Sequence, residues 1–232
     1  MCCEHCSHES SCLVTVPVFK GMKDQDIQAL RKVTKSHTFK KGEYIFGEGD
    51  RSETLFVVKE GLIKLTKTSL EGKEQIVRLL FPGDFFGLFS LLRDENHYMN
   101  AEPAQETVIC SIEKKDFLKT VEKNPDLAFQ FLLAMNDRLY EADESVGNMS
   151  LLEVEQRVAR ALVLFHDKMN RENGYFTLPI TKKDLASFIG TTPESISRKL
   201  LTFMSKKLIH MEGQRQIKIL ELDQLKKLAE LH

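Results

Sequence analysis

The sequence predicts an α+β fold in which an N-terminal β-roll is followed by a long helix and a C-terminal winged helix-turn-helix. Three observations predict it. Short strand-like runs alternate with glycine-containing turns between residues 39 and 112, heptad spacing begins after residue 124, and two short capped helices lie near the C-terminus. With 232 residues and 42% hydrophobic content, the chain can form a buried core in each of two modest domains.

The β-roll is predicted from apolar or alternating runs that end at turn residues. These runs are YIFGEGD, TLFVVKEGLIKLTKT, EQIVRLLFPGDFFG and ETVICSI. Glycines such as Gly61 and Gly87 punctuate them, and glycine supplies the positive φ that tight turns require. Many short strands with such turns predict a sandwich or roll, which we assign to residues 17–124, after a separate cysteine-rich segment at residues 1–16.

A helix is predicted over residues 125–150, where apolar residues recur at spacings of four and three. This heptad pattern favours pairing with the same helix of a second copy, and the alternative is a helix packed on its own domain. Acidic side chains crowd the middle of the helix and would weaken such a pairing because each would lie near its own copy. The predicted dimer contact consists of Leu132, Met135, Leu139, Ala142, Glu144, Val146 and Met149.

Residues 151–232 are predicted to form a helix-turn-helix with a wing. Thr181 and Asp184 have the spacing of a capping box, and Thr192 and Pro193 can begin a second helix because proline at the first helical position loses no hydrogen bond. Farther on, LIHMEG and QRQIKIL alternate apolar residues across a glycine, which predicts a β-hairpin.

The second of these helices would expose Glu194, Ser197 and Arg198 in its first turn and a half. Arginine can bind guanine O6 and N7 in bidentate fashion, glutamate can accept from cytosine, and serine can serve several bases; the alternative is an ordinary solvated surface. Residues 151–232 hold 14 Lys/Arg against 10 Asp/Glu, the direction expected for a part that meets phosphates. The predicted phosphate contacts include Lys182, Lys183 and Lys199.

Together these parts resemble the Crp/Fnr family of bacterial transcription regulators over nearly the whole chain. KKGEYIFGEGD, LFVVKEGLIKL, SLEGKEQIV and PGDFFG resemble the motifs of the family's cyclic-nucleotide-binding-like roll, and TPESISRKL resembles its recognition helix. The resemblance implies a homodimer that binds double-stranded DNA with TTGAT-like half-sites and acts with RNA polymerase.

One family motif is altered. In members that bind cyclic AMP, a Gly-Glu pair follows the PGDFFG-like stretch and an arginine lies about ten residues beyond. Here Leu88 follows Gly87, and HYMNAE stands where the arginine is expected. A phosphate would find no cation there, so a cyclic-nucleotide-responsive regulator is only an alternative within the family.

The chain has five cysteines, and four of them lie in its first twelve residues. Cys3, Cys6 and Cys12 form C-x2-C-x5-C, and together with Cys110 this arrangement resembles the oxygen-responsive FNR branch. That resemblance implies a [4Fe–4S] cluster held by these four thiolates, whose loss in oxygen shifts the dimer toward monomer and releases DNA. In FNR-type proteins an acidic residue at the position of Glu144 keeps the dimer marginal.

Three other interpretations of the cysteines stay open. A zinc ion could bind Cys3, Cys6 and Cys12 with a nearby histidine or Cys2, an N-terminal cysteine could form a disulfide with Cys110 on oxidation, or the segment could hold no site and no cofactor. The odd total argues against simple pairing, and Cys2 lies outside the motif.

Other functional classes lack sequence support. No nucleophile–base pair, paired-carboxylate site or phosphate-binding glycine loop is recognisable, so we expect no enzyme. No stretch reaches the roughly 18 apolar residues of a membrane span, and the first residues are polar where a secretory signal is apolar. We therefore expect a cytoplasmic protein without a membrane partner.

Overall fold

A computed structural model gives the fold. The residues it describes are 13, 16–19, 22–51, 53–169 and 175–230. The chain divides into two compact units between Tyr140 and Glu141, inside the long helix. The predicted α+β class is confirmed, since a β-rich N-terminal part, a long helix and a C-terminal helix-turn-helix follow one another in the predicted order.

The first unit consists of antiparallel strands and the helices packed on them. A short 3₁₀ helix, Pro17–Phe19, precedes the regular elements. These are α1 (Asp24–Val33), β1 (Lys35–Phe39), β2 (Thr54–Glu60), β3 (Ile63–Thr68), β4 (Glu74–Leu80), β5 (Phe85–Phe86), α2 (Leu88–Arg93), β6 (Asn100–Pro103), β7 (Thr107–Glu113), α3 (Lys114–Lys123) and the long helix α4 (Pro125–Leu151).

Two sheets face each other to form the roll. One has the strand order β1-β7-β2-β5 and the other β4-β3-β6, and every pairing is antiparallel. Val58, Phe86 and Ile109 from the first sheet pack with Ile63 and Leu80 from the second. Since successive side chains of a strand point to opposite faces, this layer leaves the neighbouring residues of β2 and β7 on the other face of the first sheet.

That other face is covered by helices. Cys110 of β7 lies there, within a buried cluster that includes Phe117 of α3 and Phe131 of α4. The Phe131 ring meets those of Phe19, Phe85 and Phe117 edge to face, with centroids 5.1–6.0 Å apart. Such aromatic pairs contribute about 0.5–1.5 kcal/mol each beyond their buried area, so the first half of α4 is firmly attached to the roll.

The turn between β2 and β3 depends on Gly61. Its φ is 93°, and a Cβ there would lie 2.4 Å from Thr107 Oγ1, which the strand pairing does not allow. Two other sequence predictions differ from the structure in extent. YIFGEGD contributes only an isolated bridge, Phe46 to Ala101, and within PGDFFG only two residues pair as a strand.

The second unit contains, besides the end of α4, four helices packed with a small sheet. Its elements are α5 (Val154–Met169), β8 (Tyr175–Thr177), α6 (Lys182–Ile189), α7 (Pro193–Ser205), β9 (Ile209–Glu212), β10 (Gln216–Ile219) and α8 (Leu222–Leu228). The antiparallel sheet has the order β8-β10-β9, and the predicted wing is its β9–β10 hairpin.

The predicted helix starts are present in this unit. The Thr181 hydroxyl accepts a hydrogen bond from the Asp184 N–H, and the Asp184 carboxylate accepts from the Thr181 N–H, which completes the capping box. The Thr192 hydroxyl accepts from the Ser195 N–H at the start of α7, with Pro193 in the first turn. The buried face of α7 consists of Ile196, Leu200 and Phe203.

Within the residues described, no helix is both long enough and apolar enough to span a membrane.

Candidate functional site

Helix α7 presents a polar face to solvent in its first turns. Glu194 and Arg198 are exposed and one turn apart, and Ser197 is partly exposed between them. These are the three residues predicted to read bases, and the structure brings them together. Among the residues described, the Arg198 guanidinium has no hydrogen-bond acceptor, so its planar fork of donors is available to a ligand.

Hydrogen bonds at the start of α7 favour the charged form of Glu194. The pKa of Glu194 is lowered, first by the hydrogen bond from its own backbone N–H, then by the Thr192 hydroxyl and more weakly by the charge of Arg198. The carboxylate is therefore ionised at neutral pH. Glu194 thus offers acceptors, and Arg198 offers donors one turn later.

One apolar residue shares the exposed face. Leu201 follows Arg198 by three residues and is 64% exposed. Exposed single leucines are common on protein surfaces, but this one lies in line with the three polar residues because side chains three and seven apart share a helix face. Leu201 was not among the residues predicted from the sequence, although its spacing from Glu194 and Arg198 could have identified it.

The predicted phosphate-binding lysines differ in their surroundings. Lys182 and Lys183 lie in the first turn of α6, partly exposed and exposed respectively. Lys199 instead points to α5, where its Nζ is 2.8 Å from Glu155 Oε2. Lys206 at the end of α7 reaches the same carboxylate, 2.9 Å from Oε1. Glu155 was not predicted from the sequence, since nothing in its spacing relates it to α7.

Cys110 occupies the middle of the roll's first sheet. It is 1% exposed, and its cross-strand partners are Ser36 on β1 and Val57 on β2. Its sulfur is in a disulfide bond. The predicted ligands Cys3, Cys6 and Cys12 lie outside the described residues.

The described part of the chain contains no group of three or more His, Cys, Asp or Glu side chains that could hold a metal ion.

Some residues of the predicted dimer contact are exposed, and others already have contacts within the chain. Leu132, Leu139 and Val146, seven residues apart, are 66%, 63% and 68% exposed, and Ala142 and Met149 are exposed as well. Three of these large apolar side chains are thus available to a partner at heptad spacing. The large apolar residues exposed on α4 are Phe129, Leu132, Leu133, Leu139, Tyr140, Val146, Met149 and Leu151.

Two predicted contact residues have partners within the chain. Met135 packs against the core that contains Cys110. The Glu144 carboxylate lies 3.4 Å from the Arg160 guanidinium of α5. The face of α4 open to a partner is therefore rotated toward Leu132, Leu139 and Val146 and away from Met135.

The segment that would hold a nucleotide phosphate in the roll lacks a suitable cation. From Leu88 to Pro103, a stretch described without gaps, Arg93 is the one Lys or Arg, and it pairs with Glu95 on the surface. Leu88 is buried in the core. His97 is buried too, and burial lowers its pKa more than the nearby Asp50 charge raises it, which favours the neutral ring.

The sequence matches two family profiles in the order of the two units. The profile of the cyclic nucleotide-binding domain matches residues 36–124, and that of the Crp-like helix-turn-helix domain matches residues 156–228.

Relatives and structures extend over most of the chain. The probable transcriptional regulator flp of Lacticaseibacillus casei is 27% identical over 219 residues, 94% of this chain and 98% of flp. The transcriptional activator protein Anr of Pseudomonas protegens is 28% identical over 232 residues, 98% of this chain and 92% of Anr. FixK2 of Bradyrhizobium japonicum has the same fold, with a TM-score of 0.78 at 24% identity, and the match covers 84% of this chain and 97% of that one.

A two-sheet roll, a long helix and a winged helix-turn-helix occur here in one order, both domain profiles match, and relatives are similar over nearly the full length. The chain belongs to the Crp/Fnr family of DNA-binding transcription regulators.

Proposed function

We propose that the protein is a homodimeric regulator that binds a two-fold symmetric DNA sequence and responds to oxygen or redox state through Cys110 and the N-terminal cysteines. The observation that supports the DNA-binding part most directly is the exposed constellation of Glu194, Ser197 and Arg198 on α7. The observation that supports the redox part is the covalent bond at the buried Cys110 sulfur.

In the proposed complex α7 lies in the major groove. Arg198 binds the guanine of a TTGAT-like half-site through O6 and N7, Ser197 contacts the thymine edge, and Glu194 accepts from the paired strand. Lys182 and Lys183 at the start of α6 contact phosphates, which fixes the register without reading sequence. RNA polymerase is the proposed protein partner on the bound promoter, by resemblance to the family.

The sensor has two candidate forms. A [4Fe–4S] cluster requires four thiolate ligands, proposed as Cys3, Cys6, Cys12 and Cys110. The Cys110 sulfur is already bonded to another sulfur, so in this state it does not fit as a cluster ligand. In the second form Cys110 alternates between thiol and disulfide, and the bonded sulfur corresponds to its oxidised state. A zinc site would leave Cys110 as an ordinary buried thiol, and the disulfide does not support it.

The packing suggests how a change at Cys110 reaches the dimer helix. Cys110 belongs to the same buried cluster as Phe85, Leu127 and Phe131, and the last two lie in the first turns of α4. Arg138 of α4 covers the Phe85 ring, with its guanidinium carbon 3.5 Å from the centroid, and also donates to the Phe85 carbonyl. Because packed interiors tolerate little change in volume, making or breaking a bond at Cys110 would shift the helix that carries Leu132 and Leu139.

Exchanging Arg198 for alanine tests the DNA-binding part. We expect binding-site selection with the wild type to recover a palindrome with a guanine in each half-site, and Arg198→Ala to lose the preference for that guanine, with about 1–3 kcal/mol of discrimination lost per half-site. Lys183→Ala is the matched control, because a phosphate contact should weaken binding to all sequences alike. Recovery of the same guanine by both variants would exclude the proposed role of Arg198.

A further inference from the structure

One carboxylate pairs with two cations at α7. Glu155 of α5 pairs with both Lys199 and Lys206 of α7, at 2.8 and 2.9 Å, and its side chain is only 17% exposed. The hydrogen bond from Lys199 and then that from Lys206 lower the pKa of Glu155, against a smaller opposing effect of burial. The carboxylate is therefore charged at neutral pH, and both ion pairs are formed in the free protein.

The two lysines lie on one flank of α7. They are seven residues apart, hence on the same side of the helix, and Lys199 is about 100° around the axis from Arg198, its neighbour in sequence. With its side chains an α-helix is roughly 10–12 Å across, and the major groove is about 12 Å wide. When Arg198 faces the base edges, a flank of the helix faces a phosphate strand. Lys199 and Lys206 therefore stand where phosphate contacts form.

We infer that Glu155 is an intramolecular competitor of DNA phosphate. Its carboxylate takes the same ammonium donors that a phosphate oxygen would take, so each phosphate contact at Lys199 or Lys206 requires an existing ion pair to open. Glu155 thereby lowers the sequence-independent part of DNA affinity and leaves the base contacts of Arg198 unaffected. This inference rests on the proposed function of α7.

The consequence is measurable in the salt dependence of binding. The logarithm of the binding constant falls with the logarithm of salt concentration by about 0.9 for each phosphate neutralised. Removing the charge with Glu155→Gln should steepen this slope by roughly one to two and raise affinity for non-specific duplex DNA roughly threefold to thirtyfold at low salt. Fluorescence anisotropy with a labelled duplex over a salt series gives both quantities.

Glu153→Gln is the matched control for charge. It removes one negative charge two residues away, and the Glu153 carboxylate forms no ion pair within the described residues. In a Lys199→Gln/Lys206→Gln background, Glu155→Gln should have no further effect on the slope. The same slope for Glu155→Gln as for Glu153→Gln, or an effect that persists without the lysines, would contradict the inference.

Lys206→Gln in the otherwise wild-type protein is a test that does not depend on how Glu155→Gln folds. Because Glu155 competes for Lys206, the loss of this lysine should change the slope of the salt dependence only slightly. We expect a change of less than half of the roughly 0.9 that an uncontested phosphate contact would give. A full change would overturn the inference. If the wild type bound no DNA at all, the proposed function would fall as well, whereas equal slopes in a wild type that selects a palindrome would overturn only the role of Glu155.

Discussion

His97 is a buried histidine within the altered nucleotide motif. Its ring stacks on Phe46 with centroids 3.4 Å apart, and Nδ1 lies 2.9 Å from the Ser90 hydroxyl. Nε2 is buried and has no hydrogen-bond partner among the described residues. A proton on both nitrogens would leave a buried charge-bearing donor unpaired, which is why burial lowers the pKa of His97 against the opposing charge of Asp50.

This residue should make stability depend on pH. The unfolded chain takes up a proton at His97 below about pH 6.5, and the folded chain resists it, so the free energy of unfolding should fall as pH drops through and below that value. His97→Asn keeps a donor near Nδ1 and removes the titration, so the fall between about pH 7.5 and pH 5.5 should be smaller. Urea unfolding, followed by circular dichroism at several pH values, measures this free energy for the wild type and the variant.

The exposed His210 gives the matched control for this measurement. His210→Asn makes the same substitution at an exposed position and so controls for the exchange of histidine for asparagine itself. An identical pH dependence in the wild type and His97→Asn would show that His97 does not contribute.

At the scale of elements, α4 divides its residues between two roles. Its inner face, with Leu127 and Phe131, belongs to the core of the roll, and Met135 packs beside them. Its outer face exposes Leu132, Leu139 and other large apolar side chains. Burying such residues against a second copy would gain about 1.5–3 kcal/mol for each one fully covered, so this face is the proposed dimer contact.

Leu139→Glu should weaken dimerisation. In a symmetric dimer the two new carboxylates would lie close together, repel each other and lose their hydration, where the wild type buries two leucines. The dimer dissociation constant should therefore rise at least about tenfold. Analytical ultracentrifugation over a concentration series, under the redox condition in which the wild type dimerises, measures it. Ser145→Glu adds the same charge at an exposed position off the Leu132–Leu139 line and serves as control. Equal weakening by both variants would place the contact elsewhere.

At the scale of the whole molecule, the proposed sensor and the proposed DNA-binding helix belong to different units, and α4 contributes residues to both units. Cys110 shares its core with the start of α4, and residues 141–151 of the same helix belong to the unit that contains α7. A regulator of this kind needs two states of similar free energy, because a signal can shift an equilibrium only by its differential interaction with them.

Cys110→Ala should remove the redox dependence of DNA binding. For the wild type we expect the affinity for the palindrome to differ by about 5- to 150-fold between anaerobic reducing and oxidising conditions, the usual range of coupling between sites. The variant should show less than about a twofold difference. Cys2→Ser, outside the C-x2-C-x5-C motif, is the control and should retain the response. A response that survives Cys110→Ala would exclude Cys110 as part of the sensor.

Chemical analysis of the wild-type protein distinguishes the two candidate forms of the sensor. Anaerobic purification followed by iron and sulfide analysis would find four irons per chain and a visible band that bleaches in air if a cluster is present. Colourless protein with a disulfide at Cys110, located by mass spectrometry, would support the thiol switch. Stoichiometric zinc in place of both would contradict the proposed sensor.

Much of the fold follows from local sequence patterns. Turn glycines such as Gly61, the capping box of Thr181 and Asp184, and the proline start of α7 act over a few residues, so they could be read without a structure. The same holds for the face of α7, because helical periodicity alone separates Arg198 from Leu200. Strand lengths were less predictable, since YIFGEGD pairs at one bridge only and pairing depends on a distant partner.

By itself, then, the sequence determined the order of the parts, the polar residues exposed on α7 and the number and positions of the cysteines, all of which are local properties. Tertiary structure decided the rest, because contacts between distant residues leave no periodic signal. Met135 packs against the core, Lys199 and Lys206 pair with Glu155, and the bonded Cys110 lies in the same buried cluster as Phe131 of α4.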